Sequence, residues 1–449
     1  MDPRKSIVGC VALVVVIAGV PRHASAQGQL TLQEAVNRAL ATYPSVLIAT
    51  MGLERASSNV RDAESARMPL LNAEASAIRF GDAMVVAPLH GLNPQLPPTF
   101  DRTLMQSSIA LSYSLFDASR GPRIERTHAL ESAAEASVQA AKQSLIAQAV
   151  SAYLAVRASR EIVAAHEVNV AALEHESDRS AQFFESGRAA RVVTLRANAA
   201  VSAAQADRAT AASNLDAAGR ELARLLGIPV TELTGRVLPG IHLTTAAGEI
   251  DRAGAVTSAA AGNPEIARVR RQVEAALAGN AEARALRYPR LQLSGRLVEY
   301  ASGAGHESAE WQGGAQITYP LFTGGARGAA AERAAAELGG ARAELALAEL
   351  RVADAIDRAI AAWTAAESRV EALEANVAQM EEVARIEQLA LNAGAGVQTD
   401  YLVAEADLLR ARASLTEARQ AAVSARIQLA LITGELSESW IADNVENTQ

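Results

Sequence analysis

The chain has 449 residues, half of them apolar, but only 4% are aromatic and 20% charged. A mean hydropathy of +0.07 is too polar for a bundle of membrane-spanning helices, and a net charge of −8 argues against a nucleic-acid surface, which would be basic. Six Phe, seven Tyr and three Trp are too few for ordinary α/β cores of this total length. Sequence rich in Ala, Glu and Arg instead suits long, closely spaced helices.

Arg4 and Lys5 precede an uncharged run from Ile7 to Val20, and Ala24-Ser25-Ala26 follows it. This is the pattern of a secretory signal peptide over 1–26, too short for a transmembrane helix, with cleavage expected after Ala26. Ile7-Val8-Gly9-Cys10 is like a lipobox, but Cys10 precedes the apolar run, so lipidation there is not expected. The mature chain would start at Gln27, carry a charge of about −10 and have no cysteine, which excludes disulfides and thiolate metal sites.

Thr31 and Glu34 form a capping box at the head of a helical segment over 31–67. Tyr43-Pro44 interrupts it, because proline disfavours a helical residue before it. Two period-two segments follow. Near 70–80, Leu71, Ala73, Ala75 and Ala77 alternate with Asn72, Glu74 and Ser76. Near 104–116, Met105, Ile109, Leu111, Tyr113 and Leu115 alternate with Gln106, Ser108, Ser112 and Ser114. Each predicts a strand with one apolar and one polar face, about as long as a tilted strand needs to be to cross a bilayer. From 121 to 185 no Pro or Gly follows Pro122, and a continuous helix there would be about 98 Å long. A turn at Gly187 and a return helix to Leu226 complete a long αα-hairpin over 121–227.

The pattern is then written again. A helical segment over 250–287 breaks at Asn263-Pro264. Strands are predicted near 290–301 and 310–322, the second including Trp311, Ile317, Tyr319 and Leu321. A long hairpin over 326–434 turns at Gly394. Tyr113-Ser114-Leu115-Phe116 recurs as Tyr319-Pro320-Leu321-Phe322 at spacing 206, and Leu225-Leu226-Gly227 as Ile432-Thr433-Gly434 at 207. Tyr43-Pro44 and Met68-Pro69 recur as Asn263-Pro264 and Tyr288-Pro289 at 220. The ordered anchors define a tandem duplication. The first repeat spans 27–248, the second 249–435, and 436–449 is a C-terminal tail. The length difference falls where Pro88, Pro94, Pro97 and Pro98 crowd the first copy.

Four strands cannot close a barrel, and an open sheet in lipid leaves edge amides and carbonyls unpaired at several kcal/mol each. Three chains would give twelve strands above twelve helical passes. A soluble coiled-coil adaptor is the rival reading of the long helices. The two strand pairs, placed identically in both repeats, weigh against it. Trp311, Tyr319, Tyr113 and Tyr300 are candidate membrane-interface aromatics, with ordinary strand packing as the alternative.

Enzyme chemistry finds little support. The seven histidines show no i, i+4 pair, and neither a G-x-S-x-G nor a phosphate-binding loop occurs. His175 with Glu174, Glu176 and Asp178 looks at first like a metal cluster. Helix neighbours one apart point to different sides, so a solvated face is the better reading. No catalytic residue, cofactor or metal is expected.

At these residues the sequence resembles the TolC-type outer-membrane efflux and secretion channels over roughly 30–435. The duplication, the two Tyr-x-Leu-Phe motifs and the turns at Gly187 and Gly394 carry the resemblance through their order and spacing. It implies a mainly α chain with membrane β: a homotrimer with a 12-stranded β-barrel in the outer membrane and a long α-helical barrel across the periplasm. It further implies a periplasmic adaptor and an inner-membrane pump as partners, with type I protein secretion as the alternative assignment. The resemblance places adaptor docking at the turns, that is at Gly187, Arg188, Gly394 and Gly396. It places an acidic ring at the entrance at Asp400. The second acid of that motif is replaced by Val403 and its arginine by Gly396, so closure falls to Tyr401, Leu402 and Arg385. For Asp400 a helix N-cap remains the other reading.

Overall fold

The computed structural model describes residues 28–85, 100–243, 250–303 and 307–448. The signal peptide over 1–26 and the prolines at 88–98 lie outside the described residues. Thr31 caps α1 (Leu32–Thr42), its hydroxyl accepting from the Glu34 amide at 3.2 Å. Pro44 occupies the first turn of α2 (Pro44–Ser65), where its absent N–H costs nothing. After β1 (Leu70–Val85) and β2 (Phe100–Phe116) the chain enters α3 (Arg120–Glu185) and returns along α4 (Arg191–Leu226). A short α5 (Val230–Thr234) and β3 (Gly240–Leu243) lead to the second repeat. There α6 (Arg252–Gly262), α7 (Pro264–Ala285), β4 (Arg290–Ser302), β5 (Glu307–Thr318), α8 (Ala326–Asn392) and α9 (Gln398–Thr433) repeat the order. The chain finishes with α10 (Glu438–Asn444) and β6 (Val445–Thr448).

The large sheet is antiparallel in the order β1-β2-β4-β5, so the two repeats meet at the β2–β4 seam and β1 and β5 are free edges. Register sorts its residues by face. Ala73, Ile109, Leu297 and Trp311 lie in one row across the four strands, with Leu71, Leu111, Leu293 and Ile317 on the same face. Asn72, Glu74, Gln106, Ser108, Arg296 and Gln312 share the other. Trp311 on the apolar face is 79% exposed. A sheet with an exposed apolar face and an exposed polar face fits lipid on one side and water on the other.

Three details differ from the sequence expectation. β5 ends at Thr318, because Pro320 has no N–H for the ladder. Tyr319, Leu321 and Phe322 therefore lie beyond the strand, in the connection to α8. Tyr300 pairs with Gln106 on the polar face, so it is not a lipid-facing aromatic. β1 and β2 run further than their alternation does, to Val85 and from Phe100, with a register shift between Arg79 and Met84. Backbone pairing alone extends this hairpin once no side chain has to face lipid.

α3 and α8, of 66 and 67 residues, are each about 100 Å long. Next to the sheet, α3 packs on α2 and α7, and α7 on α8. Further away α3 packs on α4 and α9, and α9 on α8. None of the described helices is long and apolar enough to cross a membrane.

The main core sits midway and gathers both chain ends. Leu30, Val36, Tyr153, Leu226, Leu436 and Trp440 are all buried there. Leu436, Trp440, Ile441 and Val445 of the tail are therefore part of the core, and β6 pairs with β3. The Tyr153 hydroxyl is 3.0 Å from both the Leu30 and Pro239 carbonyls, and burial pushes its pKa well up.

The duplication is visible in one repeated contact. The helix break at Tyr43-Pro44 meets the end of α4, where the Thr42 hydroxyl, 2.8 Å from the Arg38 carbonyl, also lies 3.3 Å from the Leu226 carbonyl beside Gly227. The break at Asn263-Pro264 meets the end of α9, where the Asn263 side chain donates to the Ile432 carbonyl at 2.8 Å. Gly434 has φ +80°, and a Cβ there would fall 2.2 Å from the Gly262 carbonyl oxygen. Gly434→Ala should therefore lower outer-membrane yield and thermal stability far more than Gly187→Ala. Gly187 also has a positive φ but stands in open space, so its substitution costs only the ~1–2 kcal/mol of left-handed backbone. Tyr153→Phe should cost about 1–2 kcal/mol in chemical denaturation, because it leaves a buried carbonyl without a donor.

Candidate functional site: the tip of the two hairpins

The two long hairpins turn with the same backbone. Gly187 and Gly394 both have φ +74°. At the first turn the Arg188 and Ala189 amides donate to the Phe183 carbonyl at 2.8 and 3.2 Å. At the second the Ala395 and Gly396 amides donate to the Ala390 carbonyl at 3.0 and 2.9 Å. Each is a left-handed helix C-terminus in which glycine avoids a Cβ penalty. Gly396 has a reason of its own: a Cβ there would lie 2.8 Å from the Leu391 nitrogen. Arg188 is exposed.

The turns are brought to one end of the molecule by a polar network between repeats. Glu176 on α3 is only 7% exposed. Its carboxylate accepts from the Gln398 amide at 2.7 Å and pairs with Arg179 at 2.7 Å. Arg179 also donates to the Asn392 side chain at 2.8 Å. The end of α3 is thereby tied to the end of α8 and the start of α9. Burial raises the Glu176 pKa against the pull of Arg179 and Gln398. Tyr401 is buried beside this network, and burial, with Glu405 and Glu176 nearby, pushes its phenol up to about 12. Leu402 packs against Val170, Leu173 and Ala204 of the first hairpin.

Two sequence candidates stand apart from this network. Asp400 is exposed in the first turn of α9, but the cap residue is Val397, to whose carbonyl the Asp400 amide donates at 3.0 Å. The N-cap reading of Asp400 is therefore corrected; its exposed carboxylate in the first turn complements the helix dipole. Arg385 is exposed and held by Glu382 on its own helix at 2.8 and 2.6 Å.

Glu176 was placed on a solvated face with His175, and that too is corrected. Glu174 bonds Gln205 at 3.1 Å on α4, while Glu176 turns inward. Its signal was present: Val170, Leu173, Glu176 and Ser180 follow the buried stripe of α3. Among the described residues no group of His, Cys, Asp or Glu is placed to hold a metal ion.

A sheet with one lipid-compatible face, unpaired edges and rods about 100 Å long ending in a common tip defines the subunit of a membrane channel with a helical conduit. The chain belongs to the outer membrane efflux protein family, whose model matches residues 35–228 and 255–435, one stretch in each repeat. It is accordingly an outer-membrane protein that extends into the periplasm. The TolC-like fold class joins a long α-helical barrel to a β-barrel. No curated protein is a significant match to the chain. Solved structures share the fold. VceC of Vibrio cholerae is 21% identical, with 90% of this chain and 96% of that one covered and a TM-score of 0.75. CmeC of Campylobacter jejuni is 17% identical, with 91% and 86% covered and a TM-score of 0.78. The open-state MtrE channel of Neisseria gonorrhoeae is 22% identical, with 91% and 90% covered and a TM-score of 0.74.

Glu176→Ala would leave Arg179 without its carboxylate partner and should loosen the tip by about 3 kcal/mol. Faster amide exchange over 390–402 is the expected readout. Acidification should act the other way. Because the folded pKa of Glu176 is raised, the cost of its buried charge is absent below the ordinary carboxylate range and enters as pH rises through the raised value. Glu405 is raised by burial in the same sense. Amide exchange near 398–402, corrected for intrinsic rates, should slow as pH falls from neutral toward the ordinary carboxylate range.

Proposed function

We propose that the chain is the exit duct of a tripartite efflux machine, passively conducting substrate that an inner-membrane pump delivers through a periplasmic adaptor. One observation carries the reading. Two glycine turns of identical backbone meet at one tip, about 100 Å along α3 from a sheet with two open edges. Setting β5 of one copy beside β1 of the next closes twelve strands in a homotrimer and removes every unpaired edge from lipid. Trp311 and Tyr113 then face lipid along the barrel, and Tyr319 lies at its periplasmic rim.

The adaptor docks on the turns at Gly187, Arg188, Gly394 and Gly396. Support comes from exposed apolar side chains around them, among them Phe183, Phe184, Leu389 and Val397. Such a patch fits a protein partner better than open solvent. The closed entrance is braced by Tyr401 and Leu402 and locked by Glu176, Arg179 and Gln398. Arg385 is held by Glu382 on its own helix. Asp400 projects from the first turn of α9, and three copies form a ring that favours cations.

An outer-membrane fraction run without heating should show an oligomer of about three times the monomer mass. A soluble periplasmic monomer would overturn the channel. Asp400→Ala should reduce cation preference in planar bilayers while leaving the amount of trimer unchanged. Replacing Gly394 with valine should impair adaptor crosslinking through left-handed strain of ~1–2 kcal/mol or more; undiminished crosslinking and efflux would remove the turn from docking.

A further inference from the structure

The junction between helices and strands carries a feature that channel function does not use. It is written alike in both repeats: Arg67-Met68-Pro69 leads into β1 and Arg287-Tyr288-Pro289 into β4. The apolar face of the sheet begins just beyond, at Leu71 and Leu291, so these residues lie at the periplasmic rim of the lipid-facing belt. Leu321 and Phe322, at the same rim, are 86% and 88% exposed. Met68 and Tyr288 are exposed as well. Arg284 stands in the last turn of α7, and Arg287 follows in the turn that leads to β4, its amide donating to the Arg284 carbonyl at 3.2 Å.

Most cations here are engaged. Arg123 and Arg126 pair with Glu282 at 2.9 and 3.4 Å, Arg290 approaches Asp117 at 3.7 Å, and Arg120 donates to the Ser114 carbonyl. Arg67, Arg284 and Arg287 are exposed and make no ion pair among the described residues. For Arg287 no neighbouring copy is needed to complete the surroundings, since β4 is an inner strand flanked by β2 and β5 of its own chain.

Free guanidinium groups at headgroup depth, beside an exposed tyrosine and below an apolar wall, match a phosphate diester carrying acyl chains. We infer that Arg284 and Arg287, with Tyr288 beside them, form a headgroup site for an anionic phospholipid of the periplasmic leaflet. Arg67 beside Met68 forms its counterpart in the first repeat. A lipid, rather than a free phosphate, is the occupant because the apolar face of β4 continues directly from the site and receives the chains. The inference rests on the sheet spanning the membrane, which the heat-resistant oligomer tests separately.

The test is native mass spectrometry of the detergent-solubilised trimer titrated with phosphatidylglycerol or phosphatidylethanolamine. The wild type should retain phosphatidylglycerol preferentially, less so as salt rises. Each arginine near an anionic surface is worth about a fivefold factor, so R284Q/R287Q should lower phosphatidylglycerol affinity about 25-fold and leave phosphatidylethanolamine unchanged. R284K/R287K, which keeps the charge, should recover much of the loss. A wild-type trimer without preference between the two lipids overturns the proposal whether or not the variants assemble. So does an R284Q/R287Q trimer of undiminished affinity, and so does full displacement of the lipid by millimolar inorganic phosphate, which would mark a plain anion site.

Discussion

The backbone of two edge strands governs everything else in this molecule. β1 and β5 each present a row of unpaired amides and carbonyls, and in hydrocarbon no water is available to satisfy them. The sheet must close, and one chain supplies too few strands. Closure between copies brings the helices that continue from each strand into a ring as well. The helical conduit is thus a consequence of the barrel: α3 follows β2 after three residues and α8 follows β5 after seven. The connections are too short to let the helices wander.

The helical part answers a different constraint. Helices of 66 and 67 residues gain little from any single contact and need a continuous seam. Alanine supplies it along the seams, with Ala197, Ala204 and Ala211 buried on α4 and Ala404, Ala411 and Ala418 on α9, each at seven-residue intervals. Large side chains concentrate where chain ends, linker and hairpins converge around Tyr153. The scarcity of aromatic residues in the composition reflects this division, with one conventional core and long small-residue seams.

The fold was legible in the sequence because its signals are periodic and repeated. Alternation gave the strands, the absence of Pro and Gly gave the long helices, and spacings of 206 and 207 gave the duplication. Boundaries failed where backbone pairing outlasts side-chain alternation, as in β1 and β2, or stops at a proline, as after Thr318. The tip was only partly legible. Tyr401 is buried and Leu402 packs against the first hairpin, while Arg385 forms a local pair that no spacing distinguishes from a cross-helix one. Glu176 escaped because its partners, Gln398 and Arg179, lie 222 and three residues away. A buried carboxylate on an apolar stripe reads as an exception until the facing helix is known.

The tip network also separates the fates of the two repeats. Positions matched across the duplication at a spacing of 207 set Val383 against Glu176 and Ile386 against Arg179, and both apolar partners are exposed. The two repeats are therefore not equivalent at the tip. One repeat holds its neighbour through charge within the chain, and the other offers a greasy surface outward. Within one chain, then, the two repeats meet the tip with opposite chemistry, a buried charge network on one side and exposed aliphatic side chains at the matched positions on the other.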